Sequence, residues 1–228
     1  MYCLKKLSVE CMGTFFLSFM IFFVPEPTLI GLILMAMLYI GKDISGGHFN
    51  PAVSLAMFLK KVITLADMLY YALAQIIGST LAGILFYSVN KQLNPEMAPV
   101  LSFKVIDKLN FITLLTIESL LTFVVCLVVL TVIVSYKFKN NYIYGLVIGG
   151  TVAALSPIAS LNPAIAFGKM MINVISKGLA AFGDDSVFGA ALGFTGIPVS
   201  LIVNMCGPLL GAGLAVVVYR WLNDDYAV

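Results

Sequence analysis

Four stretches of this chain, residues 7–24, 65–89, 111–134 and 198–222, are almost unbroken apolar runs. A crossing of a hydrocarbon core about 30 Å thick takes about 20 such residues, so each run is long enough or nearly so to cross. Lipid offers no hydrogen-bond partners to the backbone, so runs of this kind are read as helices that satisfy their own amides. Composition points the same way: 61% of the 228 residues are hydrophobic and 11% are charged, against about a quarter charged in soluble domains. The length leaves room for roughly six spans and little else, which reads as a single domain over residues 1–228. The net charge of +2, with lysines scattered between apolar runs, excludes a nucleic-acid partner. Lys5-Lys6 ahead of the first run imitates a secretory signal, but Glu10 interrupts the run and no small-x-small site precedes Pro25-Glu26-Pro27. The run is read as a span. Cys3, Cys11, Cys126 and Cys206 show no metal or redox spacing and read as small hydrophobes; neither a metal nor a cofactor is expected.

Two further runs, 29–40 and 142–155, look short for a crossing. Each leads into an irregular stretch and then a second short apolar segment. The irregular stretches read Ile44-Ser45-Gly46-Gly47-His48-Phe49-Asn50-Pro51-Ala52-Val53 and Ser156-Pro157-Ile158-Ala159-Ser160-Leu161-Asn162-Pro163-Ala164-Ile165. Both contain Asn-Pro-Ala. Glu10 has a counterpart in Glu118, and Ala74-Gln75-Ile76-Ile77-Gly78 resembles Val203-Asn204-Met205-Cys206-Gly207. The chain therefore reads as a duplication, with repeats at approximately 1–90 and 111–228 joined by a loop at 91–110. Three crossings per half is an odd number, so the second half lies inverted to the first. Paired broken segments in inverted halves point to the transport site. Lys5, Lys6, Lys42, Lys60, Lys61, Lys137, Lys139 and Arg220 fall on one side, and Lys91, Lys104, Lys108, Lys169 and Lys177 on the other. That bias sets both termini on the cytoplasmic side.

Asn is among the best helix N-caps and Pro is favoured at the first helical position, so each Asn-Pro begins a helix. The segments that follow, 51–59 and 163–172, hold about ten residues, or about 15 Å of helix. That is half a membrane. Two half-helices entering from opposite faces meet at the midplane and set Asn50 beside Asn162. Irregular backbone at that depth survives only where it lines a wet cavity or is buried in protein. The carbonyls of Gly46, Gly47, His48, Ile158, Ala159 and Ser160 are expected to face a permeant, while the two Asn amides donate to it. Both helix N-termini point positive ends at the pore centre and oppose cations and protons. Glu10 and Glu118 sit where a carboxylate is expensive, so each is either protonated or hydrogen-bonded to loop backbone; a proton relay is the alternative. His48, the only histidine, either positions the loop or titrates.

The two loops resemble the signature loops of the aquaporin and aquaglyceroporin family. Glu10-Cys11-Met12-Gly13-Thr14 resembles the family's first-span pattern, and Gly207-Pro208-Leu209-Leu210-Gly211 its sixth-span pattern. The resemblance covers nearly the whole chain. It implies an all-α membrane protein with six transmembrane helices and two re-entrant half-helices, assembled as a homotetramer with one pore per subunit. It implies pore residues Asn50, Pro51, Ala52, Asn162, Pro163 and Ala164, and makes Glu10 and Glu118 structural anchors for the loops. A multi-pass protein of the plasma membrane is the expected setting, with the lipid bilayer and small neutral permeants as partners.

One departure matters for function. Most members of the family carry Arg directly after the second Asn-Pro-Ala, as part of an outer constriction; this chain has Ile165, and Ala166 where glycerol channels usually carry Asp. The chain's single arginine, Arg220, lies at the far end of the last span and does not substitute. By the resemblance, the companion constriction positions are Ile30, Val152 and Ala159. An apolar constriction favours glycerol-like polyols, urea or ammonia, with water also passing. The alternatives are a water-selective channel, a secondary transporter with inverted repeats, and a structural membrane protein without transport. A transporter usually needs midplane carboxylates, and no Asp or Glu lies beside either Asn-Pro-Ala. No catalytic constellation is visible, so an enzyme is not expected.

Overall fold

The structure is a computed structural model that describes residues 2–93, 110–135, 138, 142–177 and 199–223. Its helices are α1 (Tyr2–Phe23), α2 (Pro27–Ser45), α3 (Pro51–Leu59), α4 (Leu65–Leu93), α5 (Phe111–Val129), α6 (Tyr144–Leu155), α7 (Pro163–Lys177) and α8 (Val199–Asn223). A π-helical turn, Leu130–Val134, prolongs α5 without a break. No strand forms among the described residues. Of the joining loop expected at 91–110, residues 94–109 lie outside the described residues, as do Lys137 and Lys139.

The second span is longer than its apolar run. Glu26 caps the start of α2 by accepting from the Leu29 amide at 2.8 Å, and Pro27 occupies the first position. The helix continues past Lys42 and Asp43 to Gly46, whose φ of 97° ends it. Charges at a membrane edge end a hydrophobic run without ending a helix, since only a residue tolerant of the left-handed region closes this one. The same holds for α7, expected over 163–172 and observed over Pro163–Lys177. Five helices are long and apolar enough to cross a membrane, namely α1, α2, α4, α5 with its π-turn, and α8. With 12 residues, α6 is shorter, about 18 Å at the helical rise. One further turn follows it, closed by Ile158 and Ala159 amides on the Leu155 carbonyl at 3.0 and 3.3 Å.

Helices pair in matching ways in the two halves. A Cβ added at Gly78 of α4 would lie 2.2 Å from the Cys11 carbonyl oxygen of α1, and one at Gly211 of α8 would lie 2.3 Å from that of Ser119 on α5. In lipid, where no hydrophobic drive separates tails from side chains, such backbone approach through small residues supplies the packing. Between the two pairs, α2 and α6 cross at Gly31 and Gly149, each Cβ position 2.5 Å from the other's carbonyl oxygen. These three crossings frame the space into which α3 and α7 descend.

Candidate functional site

Both half-helices begin as Asn-Pro dictates. The Asn50 side-chain oxygen accepts from the Ala52 amide at 2.8 Å, and that of Asn162 from Ala164 at 3.0 Å. This fixes which way each carboxamide points, since a flip would turn an NH2 toward an N–H. The amide nitrogens then reach across: Asn50 Nδ2 donates to the Leu161 carbonyl at 2.8 Å, and Asn162 Nδ2 to the Phe49 carbonyl at 2.9 Å. Each asparagine thus holds the residue just before the other. A primary amide has two N–H donors, so one on each remains for a permeant.

Phe49 and Leu161 adopt φ of 50° and 61°, a region that costs a side-chain-bearing residue about 1–2 kcal/mol. Each is held at both ends. The carbonyl of each accepts from the opposing asparagine, and the amides donate to Glu10 Oε2 at 2.7 Å and Glu118 Oε2 at 3.1 Å respectively. The preceding amides, His48 and Ser160, donate to the other oxygens of Glu10 and Glu118 at 2.9 and 2.6 Å. Both glutamates therefore anchor loop backbone by the same pair of bonds. Glu10, 0% exposed, takes two more donors, Ser45 Oγ at 2.6 Å and Gln75 Nε2 at 2.8 Å, which fills the acceptor complement of a carboxylate. Gln75 also donates to Ser54 Oγ, which meets His48 Nδ1 at 3.1 Å, and Tyr71 donates to the Ser45 carbonyl at 2.7 Å. Composition and spacing give no sign of this network; the nearest signal is a polar Gln75 inside an apolar run.

The helices line a partly open cavity. Asn50 and Asn162 both border it, as do Gly46, Gly47, His48 and Ser160. Ile30, Val152 and Ile165 border it too. Ile158 and Ala159 do not, and Ser156 stands there instead. In the extra turn after α6, Ala159 is 1% exposed and Ile158 45% exposed. Apart from His48, no ionisable side chain is among the described residues that border the cavity. At the far end of α3, the Arg220 guanidinium donates to the Leu59 carbonyl at 2.6 Å, satisfying one of the carbonyls a helix C-terminus leaves open.

Comparison with known proteins agrees with this geometry. A family model described as Major intrinsic protein matches residues 28–219. An aquaglyceroporin of Toxoplasma gondii is 30% identical over 189 residues, which are 82% of this chain and 64% of that protein. The chain thus spans somewhat under two thirds of that relative. A glycerol uptake facilitator protein-like protein of Lactiplantibacillus plantarum is 34% identical over 187 residues, 72% of this chain and 82% of its own. The X-ray structure of the aquaglyceroporin from Plasmodium falciparum superposes with a TM-score of 0.76 at 19% identity, covering 98% of this chain and 99% of that one.

Proposed function

Since this chain belongs to the major intrinsic protein family, we propose that it is a passive channel for glycerol-like polyols, urea or ammonia, with water also passing. It is an integral membrane protein, and members of its family are channels rather than enzymes. The observation that carries the solute reading is Ile165 on the lumen wall together with Ile30 and Val152. A guanidinium after the second Asn-Pro-Ala supplies fixed donors for a passing oxygen and a full positive charge. An isoleucine supplies neither. A permeant passing three apolar side chains sheds hydration there, with only backbone carbonyls to replace it, and water loses most by that exchange. A solute with a carbon face, or a weakly hydrated neutral one, loses less. Beyond the constriction, the free N–H of Asn50 and of Asn162 offers a donor on each side of the midplane. Cation exclusion rests on the two helix N-termini that meet there.

The proposal extends to a homotetramer in the plasma membrane with both termini cytoplasmic, each subunit one channel domain of two inverted repeats. The test is stopped-flow light scattering on proteoliposomes, comparing water, glycerol, urea and ammonia. Ile165→Arg is expected to lower glycerol and ammonia flux relative to water flux. A wild type that conducts water but excludes the three solutes sinks the apolar-constriction argument and leaves a water-selective channel. Saturable or ion-coupled uptake indicates a transporter, and absence of flux a structural role.

A further inference from the structure

The two loop anchors do the same work with unequal means. Glu10 accepts from two loop amides, from Ser45 and from Gln75. Among the described residues Glu118 accepts only from the amides of Ser160 and Leu161. The sequence says what is missing. Counting from each asparagine, Ser45 corresponds to Pro157, His48 to Ser160 and Ser54 to Ala166; by the shared span motif, Gln75 corresponds to Asn204. A hydroxyl, an imidazole, a second hydroxyl and a methylene are therefore lost from behind the second loop.

Two polar atoms are left over at that place. Ser160 Oγ and Thr122 Oγ1 are buried and have no protein partner. Ser160 is 9% exposed and Thr122 0%. The first-half equivalent of Thr122 is Thr14, and its hydroxyl donates to the Glu10 carbonyl at 2.8 Å. Both residues neighbour Glu118 along the chain or through its bonds. Ser160 is tied to it through its own amide, and Thr122 stands one helical turn along on the same face of α5. Lys169 acts on Glu118 electrostatically and still leaves both hydroxyls without a bond. A buried hydroxyl without a partner is expensive, and a polar site with two to four partners is where proteins keep structural water.

We propose that buried water bridges Glu118 to Ser160 Oγ and Thr122 Oγ1, doing behind the second loop what Ser45, Ser54 and Gln75 do behind the first. Glu118, which holds the second loop directly by two amides, is then backed by solvent rather than by side chains. The decisive variants are Thr122→Val, nearly isosteric, and Ser160→Ala, in purified full-length protein followed by thermal unfolding. A hydroxyl bonded to water is missed when removed, and each variant should melt lower by about 2–4 °C, as should Thr14→Val in the first half. A hydroxyl with no partner is better absent, so unchanged or raised melting for Thr122→Val or Ser160→Ala overturns the proposal. An independent check is experimental density at better than about 2 Å, fine enough to place bound water. A solvent peak within hydrogen-bond distance of Glu118 and either hydroxyl supports the site. Density that shows the surrounding side chains but no such peak refutes it.

Discussion

Gly13→Ala should disable the first loop from a distance, because Phe49 has no room to yield. A Cβ at Gly13 would lie 2.2 Å from Phe49 Cε1, 2.4 Å from Cδ1 and 2.6 Å from Cζ. Carbon atoms settle at about 3.5–4.0 Å, so the ring must withdraw by about 1.3–1.8 Å. On its other side the ring lies close against Gly41 of α2, where even a Cβ would find Cζ at 2.6 Å, so little free space is left there. Overpacking of this kind costs about 1–3 kcal/mol when the backbone stays in place. If the backbone follows, Phe49 loses its bond to Glu10, worth about 1.5–3 kcal/mol as a bond to a charged group, and the one from Asn162, worth about 1 kcal/mol. The range is thus about 1–4 kcal/mol, and the upper part frees the Asn162 amide. The assay is thermal unfolding of purified protein beside solute flux in proteoliposomes. Gly213→Ala is the control, because a Cβ there meets nothing within 4 Å. Gly13→Ala should melt well below wild type and conduct less, and Phe49→Leu should recover part of both losses when combined with it. Melting and flux equal to wild type, or no recovery in the double variant, would refute the packing argument.

The remaining predictions concern helix ends. Arg220→Met removes the donor to the last carbonyl of α3; because the guanidinium is exposed, the expected loss is about 1 kcal/mol, and Arg220→Lys should restore part of the melting temperature. Equal melting of all three proteins would show that the contact holds nothing. The amides of Leu29 and Thr28 hold the exposed Glu26 carboxyl below the usual glutamate range. Its contribution to stability is therefore present above about pH 4.3, the ordinary value, and is lost as pH falls through the lower folded-state value. Glu26→Gln should flatten that acid limb of melting temperature against pH, and superimposable profiles would contradict the cap.

The parts of the fold written in short-range chemistry were legible. Asn-Pro specifies a cap and a first helical residue whatever surrounds it, so the starts of α3 and α7 followed from four residues. Lengths were less legible, because hydropathy reports the lipid boundary and not the end of hydrogen bonding: α2 runs through Lys42 and Asp43, and α7 through Asn173 to Lys177. Nothing in Ser156-Pro157-Ile158 announces that the α6 spiral takes one more turn, which leaves Ala159 buried and Ile158 exposed. The π-turn at Leu130–Val134 leaves no mark in an apolar run either. Arg220 read as a distant charge, since its partner is a backbone carbonyl 161 positions away.

What sequence could not suggest is that the two asparagines hold each other's loops. Leu161 and Phe49 stay in a costly backbone region because an amide from the opposite half pins each carbonyl. Strain of this kind persists only where surrounding bonds over-determine it. Neither loop can then be correct alone. Release of the first frees the Asn162 amide, removes the bond that fixes Leu161, and leaves Glu118 with one secure amide in place of two. The halves differ in how well they resist such release, since Glu10 has two side-chain donors in reserve and Glu118 has none among the described residues. Damage to the first anchor should therefore spread to the second loop more readily than the reverse. The weaker anchor belongs to the loop that leads into Ile165, so the half carrying that apolar position is also the half least firmly tied.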